Sequence, residues 1–128
     1  CRANEHGRRF DEYLSESGDV FMVAQIEHIK AVDNLEDILA LPGLDAIMVG
    51  PYDLSGSMGI TGQLSHPAMA EAMGRIAALA KRSGVPMGTH VVMPDPAELN
   101  VRIKEGYLFL AYGIDAVFLN VAAPCPKY

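Results

Sequence analysis

Four polar side chains stand where apolar runs of this chain come to an end. Gln25 and Glu27 close "FMVAQIE", Asp53 follows "AIMVGPY", and His90 sits inside "MGTHVV". The carboxylates of Glu27 and Asp53 are hard oxygen donors of the kind that hold Mg2+ or Mn2+ while leaving positions open for water or substrate; Co2+ and Zn2+ are compatible alternatives. Gln25 and Glu27 are two residues apart, so in a strand they share one face while Ala24 and Ile26 take the other. A glutamine and a glutamate facing inward at the mouth of a site are costly to bury unless something pairs with them, and a divalent cation would do so. Each residue also has a plainer reading. Glu27 and Asp53 can be solvated strand ends, Asp53 can cap the turn "DLSGS", and His90 can be a hydrogen-bonded histidine instead of a catalytic base. His28 falls on the opposite face from Glu27 and is assigned no role, while His6 and His66 read as surface or cap residues.

Positioning these groups is the work of alternating strands and helices. "GDVFMVAQIE" reads as a buried strand, "KAVDNLEDILALPG" as a helix stopped by Pro42 and Gly43, and "LDAIMVG" as a second strand. "GPYDLSGSMG" reads as a glycine-rich loop. It lacks the GxGxxG spacing of a dinucleotide fingerprint, and no Walker lysine follows it. Ser65 is the expected cap of a helix with Pro67 in its first turn, burying Met69, Met73, Ile76, Leu79 and Ala80 and ending at Gly84. "VPMGTHVV" is the third strand. Asp95, Pro96 and Glu98 resemble a capping box opening a helix that runs to Gly106. "YLFLAYG" is the fourth strand, and "IDAVFLN" either extends it or opens a new element. At the front, "ANEHGRRFDEYLSE" predicts an amphipathic helix packed through Phe10, Tyr13 and Leu14. Apolar strands separated by helices imply parallel pairing. Two architectures accommodate that: a doubly wound open sheet, or half of a (β/α)8 barrel, whose full form takes about 250 residues. Both place their sites at the carboxyl ends of the strands.

Composition excludes other classes. At 128 residues, half of them hydrophobic, the chain can bury one core. A formal charge of −6 argues against a nucleic-acid partner. No run approaches the length of a membrane span, and the charged amino-terminal stretch is unlike a signal peptide, so no membrane partner and a cytoplasmic location are expected. Cys1 and Cys125 lie far apart with no CxxC spacing, which predicts neither a disulfide framework nor a zinc site.

"AQIE" at 24–27 and "VGPYDLSGSMG" at 49–59, taken with their separation, resemble the metal-site signature of the HpcH/HpaI aldolase family, which includes 4-hydroxy-2-oxoheptanedioate and 2-dehydro-3-deoxyglucarate aldolases. "EHIKAVDNLEDILALPGLDAI", "GTHVV" and "EGYLFLAYGIDAVFL" extend the resemblance over nearly the whole chain. It implies a (β/α)8 barrel of the TIM type that binds pyruvate on a divalent metal and cleaves a 4-hydroxy-2-oxo acid to pyruvate and an aldehyde. On that resemblance Glu27 and Asp53 would be metal ligands and Gln25 would contact the substrate. The backbone from Gly50 through Tyr52 to Asp53 would receive the pyruvate carboxylate. Tyr52 stands where the family often has alanine, a change that a main-chain contact tolerates but that narrows the pocket. The family's catalytic histidine and pyruvate-binding arginine belong to the first half of the barrel, and Arg8 and Arg9 are poor substitutes. The helix that the family exchanges between subunits has no counterpart after "NVAAPCPKY". The expectation is one partial domain over residues 1–128, the carboxyl-terminal half of a barrel in a homo-oligomer, supplying a half-site whose base is unknown. Two other readings remain: a non-catalytic metal- or keto-acid-binding module that needs a partner chain, and a citrate-lyase-type carbon–carbon lyase.

Overall fold

The computed structural model of the chain describes residues 2–123. Cys1 and Cys125, with the expectations attached to them, lie outside the described residues. In chain order the regular elements are a 3₁₀ turn (Arg2–Gly7), α1 (Phe10–Glu16), a second 3₁₀ turn (Ser17–Asp19), β1 (Val23–Ile26), α2 (Ile29–Asp33), α3 (Leu35–Leu39), β2 (Ala46–Val49), α4 (Pro51–Ser57), α5 (Pro67–Ser83), β3 (Met87–Val91), α6 (Pro96–Lys104), β4 (Phe109–Tyr112) and α7 (Asp115–Ala122). Among the described residues no helix is long and apolar enough to cross a membrane.

The strands form one parallel sheet in the order β1-β2-β3-β4. Each strand lies beside its predecessor, so the winding never reverses as it does in a doubly wound sheet. The architecture is four successive β/α units of the TIM-barrel type. The register places Gln25 beside Met48, Met48 beside Gly88 and Gly88 beside Phe109 on one face. The other face carries Ile26, Ile47, Val49 and Met87 into a core shared with Val32, Leu35, Leu54, Met69, Ile76 and Leu79 of the helices. Gly88 has to be small, because a β-carbon there would lie 2.5 Å from the carbonyl oxygen of Phe109.

Several local expectations are corrected. The helix expected across residues 30–43 is broken at Asn34, whose ψ of 15° leaves the helical region, and it starts one residue early with His28 as its cap: Nδ1 accepts the Lys30 N–H at 3.2 Å. The stretch expected to be a glycine-rich loop forms α4 over Pro51–Ser57. Pro51 presets the first helical φ, Leu54 anchors the turn in the core, and Ser55 and Ser57 donate their hydroxyls back to the carbonyls of Tyr52 and Leu54. α5 is capped by His66, not Ser65, through Nδ1 accepting the Ala68 N–H at 3.1 Å. Met73 on α5 is only partly buried, and Ala72 reaches the core. At α6 the cap is one-sided. Asp95 accepts the Ala97 N–H at 2.8 Å, while Glu98 pairs with Arg102. The segment after β4 is a helix, α7, rather than an extension of the strand.

The leading segment differs most. Glu5 and His6 take positive φ values of 50° and 57°, which break the expected helix before α1 begins. Phe10, Tyr13 and Leu14 are exposed, since α1 packs mainly against the two 3₁₀ turns that flank it and not against the sheet. On its exposed side Arg9 bonds Glu12 and lies 3.8 Å from Glu5.

Candidate active site

Local chemistry places the side chains at the carboxyl edge of the sheet. β1 delivers Gln25 and Glu27 to the face turned away from the helices, and the Gln25 Nε2 amide donates to Glu27 Oε2 at 2.8 Å. Beneath this pair lies Gly50, whose N–H donates to the Ile26 carbonyl at 3.1 Å. A β-carbon at position 50 would sit 3.2 Å from Gln25 Nε2, 3.2 Å from Glu27 Cβ and 3.3 Å from Glu27 Oε2. With φ at −96°, glycine is needed there for space and not for backbone conformation.

α4 begins directly after Gly50. Pro51 has no N–H, so the donors its first turn presents are the amides of Tyr52 and Asp53, which have no acceptor within the helix. Asp53 lies in that first turn with its side chain exposed, and among the described residues its carboxylate has no hydrogen-bond or ion-pair partner. It does not cap the turn, so of the two plainer readings only that of a solvated carboxylate stands beside the metal-ligand one. Two serines brace the helix. Ser55, fully buried, accepts the Gly62 N–H at 2.9 Å, and Ser57 accepts the Ile29 N–H at 2.9 Å. The second of these ties α4 to the start of α2, two residues beyond Glu27. Sequence reading missed this tie, because nothing in "SGS" signals a partner 28 residues away. The buried Thr89 hydroxyl reaches the Val49 carbonyl at 3.4 Å, joining β3 to β2 at the same edge.

Gln25, Gly50, Tyr52 and Asp53 line one cleft of about 280 Å³ together with His90, Met48, Val49, Pro51 and Val92. Glu27 stands at its rim through its contacts with Gln25 and Gly50. Every residue singled out in the sequence therefore comes to one edge of the sheet, including His90, whose Nε2 lies 3.1 Å from the Gly113 carbonyl oxygen. Tyr52 is 41% exposed and is among the residues lining the cleft. A larger groove of about 530 Å³, bordered by Lys81, Gly84, Lys104 and Gly106, lies at the opposite end of the sheet, away from these carboxylates.

The donor set fits a hard divalent cation: two solvent-accessible carboxylates, with an amide holding one of them in place. Among the described residues no cluster of three His, Cys, Asp or Glu forms. Two carboxylates would leave most positions around such a cation to water or substrate oxygens instead of closing a protein cage.

Comparison with known proteins bears on the fold and the family. The profile of the HpcH/HpaI aldolase/citrate lyase family matches residues 1–122. The chain is 36% identical over 114 residues to the 5-keto-4-deoxy-D-glucarate aldolase of Escherichia fergusonii, covering 89% of this chain and 44% of that protein. A solved HpcH/HpaI aldolase from Desulfitobacterium hafniense superposes with a TM-score of 0.76 at 36% identity, over 88% of this chain and 44% of the other. An HpcH/HpaI aldolase/citrate lyase family protein from Burkholderia cenocepacia gives 0.82 at 34% identity, over 94% and 46%. The chain thus spans somewhat under half the length of the relatives it matches. A sequential parallel sheet, relatives at 34–36% identity and a family match across nearly its full length lead to one conclusion: the chain belongs to the HpcH/HpaI aldolase/citrate lyase family.

Proposed function

We propose that this chain supplies the cation- and oxo-acid-binding half of a class II aldolase site, in a carbon–carbon lyase that reversibly cleaves a 4-hydroxy-2-oxo acid to pyruvate and an aldehyde. The observation that carries the reading is the juxtaposition at adjacent strand ends of Glu27, held by Gln25 over Gly50, with the unpartnered carboxylate of Asp53. The likeness to proteins named as 5-keto-4-deoxy-D-glucarate aldolases supports it. A cytoplasmic homo-oligomer acting on small acids is the setting the reading implies.

Glu27 and Asp53 would hold Mg2+ or Mn2+, a Lewis acid for the keto oxygen of a 2-oxo acid. The chain's own residues do the rest. The amides of Tyr52 and Asp53 face the substrate carboxylate as donors, and the Gln25 amide, with one N–H on Glu27, has its second for the keto oxygen. Gly50 keeps the floor low enough for Gln25 and Glu27 to lie side by side. Tyr52 limits the length of what the cleft accepts.

Isothermal titration tests this reading. Mn2+ binds at one weak site in the wild-type chain, and Glu27→Ala and Asp53→Ala each abolish the heat signal, because either loss leaves too few protein oxygens. Gln25→Ala retains the cation and weakens pyruvate binding. Unchanged Mn2+ binding in both carboxylate variants overturns the assignment.

A further inference from the structure

The neighbour of His90 decides where its proton sits. The ring projects from β3, beside Ala111 of β4, and its Nε2 is 3.1 Å from the Gly113 carbonyl oxygen. A carbonyl oxygen only accepts, so Nε2 carries the hydrogen, and in the neutral ring Nδ1 is a bare lone pair. The acceptor is held firmly. Gly113 sits at a φ of +65°, its N–H donates to the Val91 carbonyl at 2.8 Å, and a β-carbon there would meet the Phe118 ring at 2.5 Å. Nδ1 has no partner among the described residues, yet no buried side-chain nitrogen or oxygen among them is left unsatisfied. Nδ1 therefore opens onto accessible space, and the ring lines the cleft with Gln25, Tyr52 and Asp53.

We infer that His90 is the contact that recognises the hydroxyl-bearing end of the ligand, its bare Nδ1 accepting a hydrogen bond from the 4-hydroxyl of a 4-hydroxy-2-oxo acid. The inference rests on the reading of the cleft as an oxo-acid site and deepens it. Carboxylate and keto oxygens are acceptors and cannot satisfy Nδ1, whereas a hydroxyl can. The donors of the cleft, the amides of Tyr52, Asp53 and Gln25, serve the oxo-acid end. The acceptor on His90 serves the other. The cleft is thus two-ended, and it prefers a 4-hydroxy-2-oxo acid over the same acid without the hydroxyl by about fivefold, the worth of one neutral hydrogen bond.

The test uses the full chain with ¹⁵N-labelled histidine and backbone, magnesium present, at a pH where the ring is neutral. 4-Hydroxy-2-oxobutanoate and 2-oxobutanoate are titrated in turn and followed by nitrogen-detected histidine spectra and by backbone amide shifts. The expected result is an Nε2–H tautomer whose Nδ1 resonance moves with the hydroxy acid and not with its deoxy analogue. His90→Leu removes the affinity preference between the two acids. His90→Gln, whose amide can donate to Gly113 and accept through its oxygen, restores most of it, and this separates recognition from a loss of folding. An Nδ1–H tautomer, or an equal Nδ1 response to both acids, overturns the role of His90 while the Tyr52 and Asp53 amides still report the oxo-acid site. Silence of those amides with both acids removes the site reading and this inference together.

Discussion

Gly50 and Tyr107 mark two ways in which a single residue matters here. Gly50 is defined by what it omits, since its missing side chain is the space that Gln25 and Glu27 occupy. Tyr107, by contrast, is buried just before β4, and burial pushes its hydroxyl from the ordinary 10.0 up to about 12, with the Glu105 carboxylate adding to the rise and Arg102 opposing it. A raised pKa favours the neutral phenol in the folded state. Its contribution is complete below pH 10, where the unfolded chain also keeps the proton, and is lost as pH rises toward 12. Denaturation across that alkaline window should show wild-type stability falling by roughly 2 to 3 kcal/mol more than that of Tyr107→Phe. Parallel curves for the two proteins would mean the hydroxyl is not desolvated as described.

Among the elements, α4 connects fold to site. It turns what reads as a loop into a helix that fixes Asp53 in its first turn, and the Ser57 hydroxyl links it to α2 by accepting the Ile29 N–H at 2.9 Å while donating to Leu54. Removing that hydroxyl leaves a half-buried N–H unpaired at the start of α2. Ser57→Ala should therefore lose about 1 to 3 kcal/mol in urea unfolding and weaken Mn2+ binding, although residue 57 touches no ligand. A stable variant with wild-type affinity would place the coupling of the two carboxylates elsewhere. β3 contributes by another route, since Gly88 admits Phe109 and His90 reaches Gly113.

At the scale of the whole molecule, the sheet has two open edges among the described residues, β1 and β4. Large apolar side chains crowd both of them: Phe21 is 70% exposed beside β1, and Leu108 is 78% exposed beside β4. Exposed apolar edges are templates for strand pairing, and a closed barrel has none. The 128-residue chain expressed by itself should elute from size exclusion as an associated species. In a coupled pyruvate-release assay it should turn over far below the ordinary enzyme range of about 1 to 10³ per second. A stable monomer with ordinary turnover would show that the residues described here form a complete catalyst.

Much of this was legible from the amino-acid order alone. The alternation of strands and helices, the shared face of Gln25 and Glu27, and the arrival of Asp53 and His90 at strand ends all follow from periods of two and 3.6, which are local properties of the backbone. Periodicity by itself left two architectures open; the family resemblance pointed to the half-barrel, and the pairing order of the strands, a long-range fact, bears that out. Tertiary structure likewise decided that "PYDLSGS" is helical, because the burial of Leu54 and Ser55 outweighs its turn-forming composition. It decided that α1 stays exposed, because an apolar stripe is buried only where another surface meets it. It also decided which nitrogen of His90 is bare, since the Gly113 carbonyl that settles the matter lies 23 residues further along the chain.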